Sequence, residues 1–372
     1  MTVVAGRFDS TTFAKAGLLG DKTQAQPISP WASEVEPAVK SILIQSVVIN
    51  SSAFESDENG KTAFVGSKIE AALLQFARDH LGLQSLEEVK ANAEVIQIIP
   101  FSTDTRCMGT VIKLKSGGFR LFVTGDPDML LGRCKVKINA QFQEVPLSES
   151  DRQTFMETID QYGSQSLVVI GLTYRDFEQW PPAGMLSDSD SDGERKTLLL
   201  GDLCLLGVFG IQNRVHTGVP EAVLKMRSAG IVVQMVTGDN TATARAVASA
   251  CGILTDGLVM EGRDFRALSQ EEMDAVMPKL QVLSRCSPND KRLLVSRLKA
   301  HGEIIAMTGN SIGDTSAWKL ADVRISMHTS GSEMAKQESG IIFMNGSFAS
   351  VLEALAWGQA VHGAVQRFLQ VI

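Results

Sequence analysis

The stretch Met235-Val236-Thr237-Gly238-Asp239-Asn240-Thr241-Ala242-Thr243-Ala244 constrains the fold of this chain more than any other. Residues 231–236, a β-branched apolar run broken only by Gln234, lead into it with the composition of a buried parallel strand. Thr237-Gly238-Asp239-Asn240 then turns the chain. Residues 242–251 follow as an alanine-rich helix with Ala244, Val247, Ala248 and Cys251 on one face and Gly252 as its stop. A strand ending in Thr-Gly at a helix N-terminus offers hydroxyl and backbone donors to a phosphate, and the helix dipole adds to them. Strand and helix alternate from here to the end, as an α/β domain with a parallel sheet requires.

At 372 residues the chain is long enough for two cores. A net charge of −7, with no basic patch interleaved with aromatics, argues against a nucleic-acid binder. Cys107, Cys134, Cys204, Cys251 and Cys286 are odd in number and form no CxxC pair, as expected of small core residues in a reduced compartment. The N-terminus lacks the basic flank and apolar core of a signal peptide. The longest apolar run, 198–211, contains Asp202 and is too short to span a bilayer.

Earlier in the chain, residues 9–30 lack periodicity and are expected as loop, and 37–50 as a helix followed by an apolar stretch. Residues 66–77 predict a helix burying Ala72, Leu73, Phe76 and Ala77, with Glu70 near its start. Segments 95–100, 109–115 and 119–124 predict antiparallel strands. Phe101 lies between strands, where it is either core or a flat ring free to stack. Residues 187–194 imitate the first half of a calcium-binding loop, but Leu199 stands at the twelfth position, so 181–194 is expected as a solvated acidic linker.

Three further stretches follow Thr237-Gly238-Asp239-Asn240: Ser287-Pro288-Asn289-Asp290-Lys291, then Thr308-Gly309-Asn310-Ser311-Ile312-Gly313-Asp314, then Ala321-Asp322-Val323. In this order they resemble the P-type ATPases, most closely the P2-type fungal and animal calcium pumps. Residues 230–369 match that family's phosphorylation domain, and residues from about 60 to 180 look like its nucleotide-binding domain. The resemblance implies a haloacid-dehalogenase-like, doubly wound parallel sheet plus an α+β nucleotide-binding domain with an antiparallel sheet. It divides the chain into a residual strand of the phosphorylation domain (1–20), the nucleotide-binding domain (21–180), the acidic linker (181–197) and the phosphorylation domain (198–372). It also implies ATP and Mg²⁺ as ligands, and a cytoplasmic location on the inner face of a vacuolar or plasma membrane. Thr237, Gly238 and Lys291 would contact phosphate, and Asp314 would hold Mg²⁺. Glu70, Phe101, Asp239 and Asn240 would contact nucleotide. An isolated lysine at a helix start or a glutamate in a first turn is otherwise a solvated charge.

The sequence departs from the family where chemistry is done. The family transfers the γ-phosphoryl group of ATP to an aspartate and then hydrolyses it. Met1-Thr2-Val3-Val4-Ala5-Gly6 resembles the strand that follows the family's Asp-Lys-Thr-Gly-Thr, so that aspartate is expected to be missing, through either a natural start or a fragment. Asn310 and Gly313 replace the family's metal-site aspartate and asparagine. Thr124 replaces its nucleotide lysine, Val168 an arginine, and Asn213 and His216 the hinge pair. These changes imply weak nucleotide binding and a chain catalytically inactive by itself. The alternative is a non-catalytic nucleotide-binding or regulatory module, docking on another P-type ATPase or on a missing N-terminal segment. A free phosphatase of the same fold would need an Asp-x-Asp at a strand end, and none stands in the right position before Thr237, the one in the linker lying in its acidic run. With the aspartate's strand gone, the sheet is expected to keep family-like directions with a defect beside Thr237. The other outcomes are pairing of 232–236 with 304–307, or another segment in the slot. A chain with that defect is expected to be poorly soluble alone.

Overall fold

The computed structural model describes the chain except residues 17, 19–24, 59–60, 103–104, 183–198, 214, 217, 310–311, 328–332, 346 and 372. It divides into two compact units, Met1–Asn213 and Arg214–Ile372. The acidic linker, Asn310 and Ser311 lie outside the described residues.

The first unit is built on nine strands: β1 (Thr2–Phe8), β2 (Thr11–Ala14), β5 (Glu94–Ser102), β6 (Cys107–Lys113), β7 (Phe119–Gly125), β8 (Cys134–Ile138), β9 (Glu144–Pro146), β10 (Leu167–Phe177) and β11 (Leu203–Gln212). Their order is β2-β1-β11-β10-β7-β6-β5, with β8 attached to β11 and β9 to β8. All pairings along that path are antiparallel, and β8 joins β11 in parallel. A separate hairpin pairs β3 (Phe54–Glu58) with β4 (Lys61–Val65). The period-two pattern of the strands divides the core between the two sheet faces. Phe122, Leu172 and Phe209 pack under α1 (Ile28–Glu34), α2 (Pro37–Ile49), α3 (Lys68–Phe76) and α4 (Leu86–Ala91). Leu121, Val123 and Val169 pack under α5 (Pro127–Leu131) and α6 (Glu149–Ser164). Gly6 is required where β1 crosses the Phe13 ring, since a Cβ there would lie 2.3 Å from Cζ.

Two segments add to the sequence expectation. Residues 37–49 form one continuous helix that includes the apolar stretch at its end. Val47, Val48 and Ile49 are buried there, and that burial outweighs the few tenths of a kcal/mol by which β-branched residues disfavour helix. Second, β1 and β11 lie side by side in the first unit's sheet, with Val3 opposite Ile211 and Gly6 opposite Phe209. β11 is buried at every position but its last, so it needs a partner on each side, and β1 and β10 supply them. The compact units part at 213/214.

The second unit alternates as expected: α7 (Val219–Ser228), β12 (Met235–Val236), α8 (Thr241–Ala250), β13 (Leu258–Glu261), α9 (Gly262–Ala267), α10 (Gln270–Val276), β14 (Leu280–Ser284), α11 (Pro288–Ala300), β15 (Ala306–Gly309), α12 (Thr315–Trp318), β16 (Val323–Met327), α13 (Glu333–Glu338), β17 (Ile341–Phe343) and α14 (Ala349–Val371). Its parallel strands form two sheets of three, β12-β14-β13 and β15-β16-β17. Among the described residues, β12 pairs only with β14 and β15 only with β16. The expected strand 231–236 is consequently reduced to its last two residues, and Val232 and Ile304 are 77% and 86% exposed. Ile231 and Val233 share a core with Met226, Val323 and Ile325, so the approach to β12 and the β16 sheet are packed into one body. The expected defect beside Thr237 is present, and direct pairing of 232–236 with 304–307 does not occur. Among the described residues, no helix is long and apolar enough to cross a membrane.

Candidate functional site

In the second unit the phosphate-contact candidates converge at the C-terminal ends of the parallel strands, where open α/β sheets place ligands. Thr237 follows β12; its N–H donates to Leu283 O at 2.9 Å and its carbonyl accepts from Cys286 N–H at 3.0 Å. The Thr237 hydroxyl accepts from Asp239 N–H at 3.1 Å, and Asp239 O accepts from Arg285 N–H at 2.9 Å, which fixes the turn. Ser287, next to Cys286, caps α11 in a capping box with Asp290, and Lys291 stands in that helix's first turn. Its ammonium reaches Asp314 Oδ1 at 2.6 Å. Gly309 is the residue that lets Asp314 pack: a Cβ there would lie 2.8 Å from Asp314 Oδ2 and from the Trp318 ring. Thr237, Lys291 and Asp314 are thus joined by short links, with Gly238 and Asp239 exposed beside them. Asn240 is occupied as the cap of α8, its Oδ1 accepting from Thr243 N–H at 2.8 Å.

A divalent metal does not fit this donor set. Asp314 is mostly buried and already paired with a lysine, and no group of three His, Cys, Asp or Glu side chains among the described residues is placed to hold an ion. Mg²⁺ needs several oxygen ligands and gives up water reluctantly, so a lone paired carboxylate is a poor host.

In the first unit two of the candidate positions, Glu70 and Thr124, meet the turn after α2. Glu70 Oε2 accepts from Ser51 Oγ at 2.9 Å, Ser52 N–H at 2.9 Å, Ser52 Oγ at 3.1 Å and Ala53 N–H at 3.2 Å. Glu70 therefore holds the turn through one of its two carboxylate oxygens. Lys90 Nζ donates to Ala53 O at 2.8 Å; burial pushes its pKa down, against the pull of Glu70. On the other side of the turn, Thr124 is buried and accepts from Asn50 Nδ2 at 2.9 Å. Asn50 also donates to Met108 O and accepts from Thr110 Oγ1 at 3.0 Å. Phe101, at the end of β5, is 60% exposed, so it is a free ring and not core. Val168 is half-buried against the same core face as Leu172, the register partner of Thr124, but four residues along β10.

Two residues escaped the sequence reading. Arg106, just before β6, places its guanidinium 3.2 Å from Asp126 Oδ2, next to Gly125 and Thr124. It is a cation beside the position that has lost its lysine, and it is held by the acid that follows. Asn50 was given no role, yet it organises the polar centre under the sheet. Cross-strand register supplies both placements, and register is not visible in one strand's sequence.

Two family models match the chain: cytoplasmic domain N of P-type ATPases over residues 38–218, and the haloacid dehalogenase-like hydrolases over residues 130–322. A calcium-transporting ATPase 2 of Cryptococcus neoformans is 41% identical over 343 residues, 90% of this chain and 24% of that protein. The calcium-transporting ATPase 2 of Schizosaccharomyces pombe is 37% identical across 100% of this chain and 30% of its own length. A human plasma membrane calcium-transporting ATPase 4 is 35% identical over 90% of this chain and 28% of its own length. The chain thus spans about a quarter to a third of the length of these curated relatives. On these matches, and with its alternating parallel second unit, the chain belongs to the haloacid dehalogenase-like hydrolase family, in its P-type ATPase branch of calcium-pump type.

Proposed function

We propose that this chain carries the nucleotide-binding and phosphate-contact apparatus of a calcium-pump cytoplasmic region, and that its 372 residues alone do not turn over ATP. The observation that carries this reading is the 2.6 Å pair between Lys291 and Asp314. In the family's reaction the lysine steadies a transferring phosphoryl group and the carboxylate holds Mg²⁺. Here they neutralise each other, and the sequence holds no Asp-Lys-Thr-Gly to receive the phosphoryl group. ATP with Mg²⁺ remains the ligand class, bound weakly, with Phe101 stacking on the base. Incubation with γ-labelled ATP and Mg²⁺ is expected to leave no hydroxylamine-sensitive label. Stoichiometric labelling overturns the reading.

A second reading is favoured by the free edges of β12 and β15: a non-catalytic module that docks on a strand supplied by another pump or by an N-terminal segment. Retention of ATP affinity at millimolar nucleotide, together with saturable binding of a strand peptide, would favour it over a relic.

A further inference from the structure

We propose that the groove between α2, α4 and the end of β6 binds an anionic amphiphile with one long acyl chain, a fatty-acid carboxylate being the type. The cavity measures about 620 Å³ and lies within the first unit, inside the range of small-molecule sites. Its floor is apolar: Ile44, Leu81, Val89, Ile112 and Leu114. Lys40, Lys113 and Lys115 also line it, and no acidic residue does, in a chain whose net charge is −7. Lys113 lies 3.7 Å from Glu94, but both side chains are at least half exposed, so that pair is weak.

The arrangement has a head and a tail. α2 turns Val39, Ile42, Leu43 and Val47 into the core, while Pro37, Lys40, Ser41, Ile44 and Gln45 face the groove at helical spacing. Asn50, at the C-terminal end of α2, bonds Met108 and Thr110 near the start of β6. The N-terminal half of α2 therefore lies towards the far end of β6, so Lys40 falls at the same end as Lys113 and Lys115. Ile49 and Leu81 line the other end. Ten residues of helix, about 15 Å, separate Lys40 from Asn50, so the cationic end is distinct from the turn that Glu70 and Thr124 hold. A carboxylate among the lysines with its chain over the apolar floor satisfies both ends. The proposal does not depend on the nucleotide reading.

The test is titration of the full chain with cis-parinaric acid, a carboxylate that fluoresces in apolar surroundings. One saturable site is expected, displaced by oleate and about tenfold or more less well by oleyl alcohol, which has the chain without the charge. Lys40→Glu combined with Lys115→Glu should weaken binding about tenfold or more, and Ala93→Trp, which fills the groove, should abolish it. Ile98→Ser, on the exposed edge strand β5, should leave it unchanged. The charge reversals are at the surface, so they keep the test decisive should Ala93→Trp fail to fold. Absence of saturable binding, equal displacement by oleyl alcohol, or loss of binding in the β5 variant overturns the proposal.

Discussion

Two apolar runs, one rich in leucine and the other in β-branched residues, meet opposite fates in the two units. Residues 203–212 form β11, which is paired on both edges by β1 and β10 and buried throughout except at Gln212. Residues 231–236 carry four β-branched side chains, yet no residue of β12 is fully buried and Val232 is 77% exposed. Apolar composition sets what a strand can bury, and the number of partners sets what it does bury. A central parallel strand with one neighbour keeps half of its ladder groups unpaired, and its faces lose the helices that a full sheet would hold over them.

The largest test of this contrast is truncation on each side of it. Phe209 is buried and its ring packs 5.8 Å from Phe76 and 6.1 Å from Phe13. Phe209→Ala should cost the first unit about 3–5 kcal/mol. Ile304→Ala and Val232→Ala should each change the second unit by about 0.5 kcal/mol or less, because those side chains are already in water. Urea titration followed by probes in each unit measures both. A cost of about 2 kcal/mol or more at Ile304 would mean that the strand is covered in solution, and the contrast would fail.

Next in size is repair. A peptide with an apolar β-branched run ending in Asp-Lys-Thr-Gly-Thr should pair in parallel with β12 and β15 and stabilise only the second unit. At a hundredfold excess over its dissociation constant the gain is about 2.7 kcal/mol, or roughly 5–10 °C in melting temperature for a unit of this size. The peptide should also raise solubility, since the free edges are the adhesive ones. No rise, in a chain that is already a soluble cooperative monomer, would show that the two small sheets need no partner.

These two regions also mark what the sequence could and could not disclose. The alternation of strand and helix after Val219 was legible because apolar runs, amphipathic faces and stops such as Gly252 are local signals. The split beside Thr237 was legible only through the family resemblance. Periodicity describes a strand and says nothing of a missing neighbour. The pairing of β1 with β11 was not legible because it joins residues about 200 positions apart and depends on which sheet offers a free edge. At the site, Thr237 and Lys291 were found through their motifs. The Lys291–Asp314 pair, the Glu70 contacts with Ser51–Ala53 and the Arg106–Asp126 pair arise from register and loop closure.

A third test sharpens the contrast at the level of side chains. The first unit keeps a continuous sheet, so on the proposed function its nucleotide site has scaffold but few charged groups, and one substitution should raise affinity. Thr124→Lys removes the acceptor of Asn50 Nδ2 and puts an ammonium at a buried position, so the stability cost is about 2–3 kcal/mol. An ammonium at that position should tighten ATP about tenfold or more by calorimetry. The equivalent repair in the second unit, Asn310→Asp, should restore no phosphorylation, because the receiving strand is still missing. Unchanged ATP affinity in Thr124→Lys would mean that the nucleotide does not sit at the turn after α2.

The smallest expected effects come from the ion clusters, and they differ between the units in the same sense. In the first, Lys137 is buried and bridges Asp9 and Asp151, each at 2.8 Å. In the second, Asp274 takes Arg297 and His301 at the surface. Hydrogen bonding to Lys137 holds the Asp151 carboxyl below its ordinary range, and bonding to Arg297 and then His301 does the same for Asp274. A lowered carboxyl pKa gives stability that is present above its unfolded value, near ~4, and lost as pH falls through the folded value. Lys137 is shifted upwards by Asp151 and Asp9 despite burial, so its share is present below the unfolded lysine value, near ~10.4, and lost as pH rises through the folded one. The first unit should therefore lose stability at both extremes through this knot, and the second only below about pH 4 through Asp274. Lys137→Met should flatten both limbs for the first unit and leave the second untouched. Molar salt should erase most of the Asp274 contribution, because exposed pairs are screened, and little of the buried one. Melting curves read separately for each unit from pH 2 to 11, with and without salt, decide this. Equal salt sensitivity in the two units would mean that the Lys137 knot is open to water, and the first unit would lose its claim to the better-closed interior.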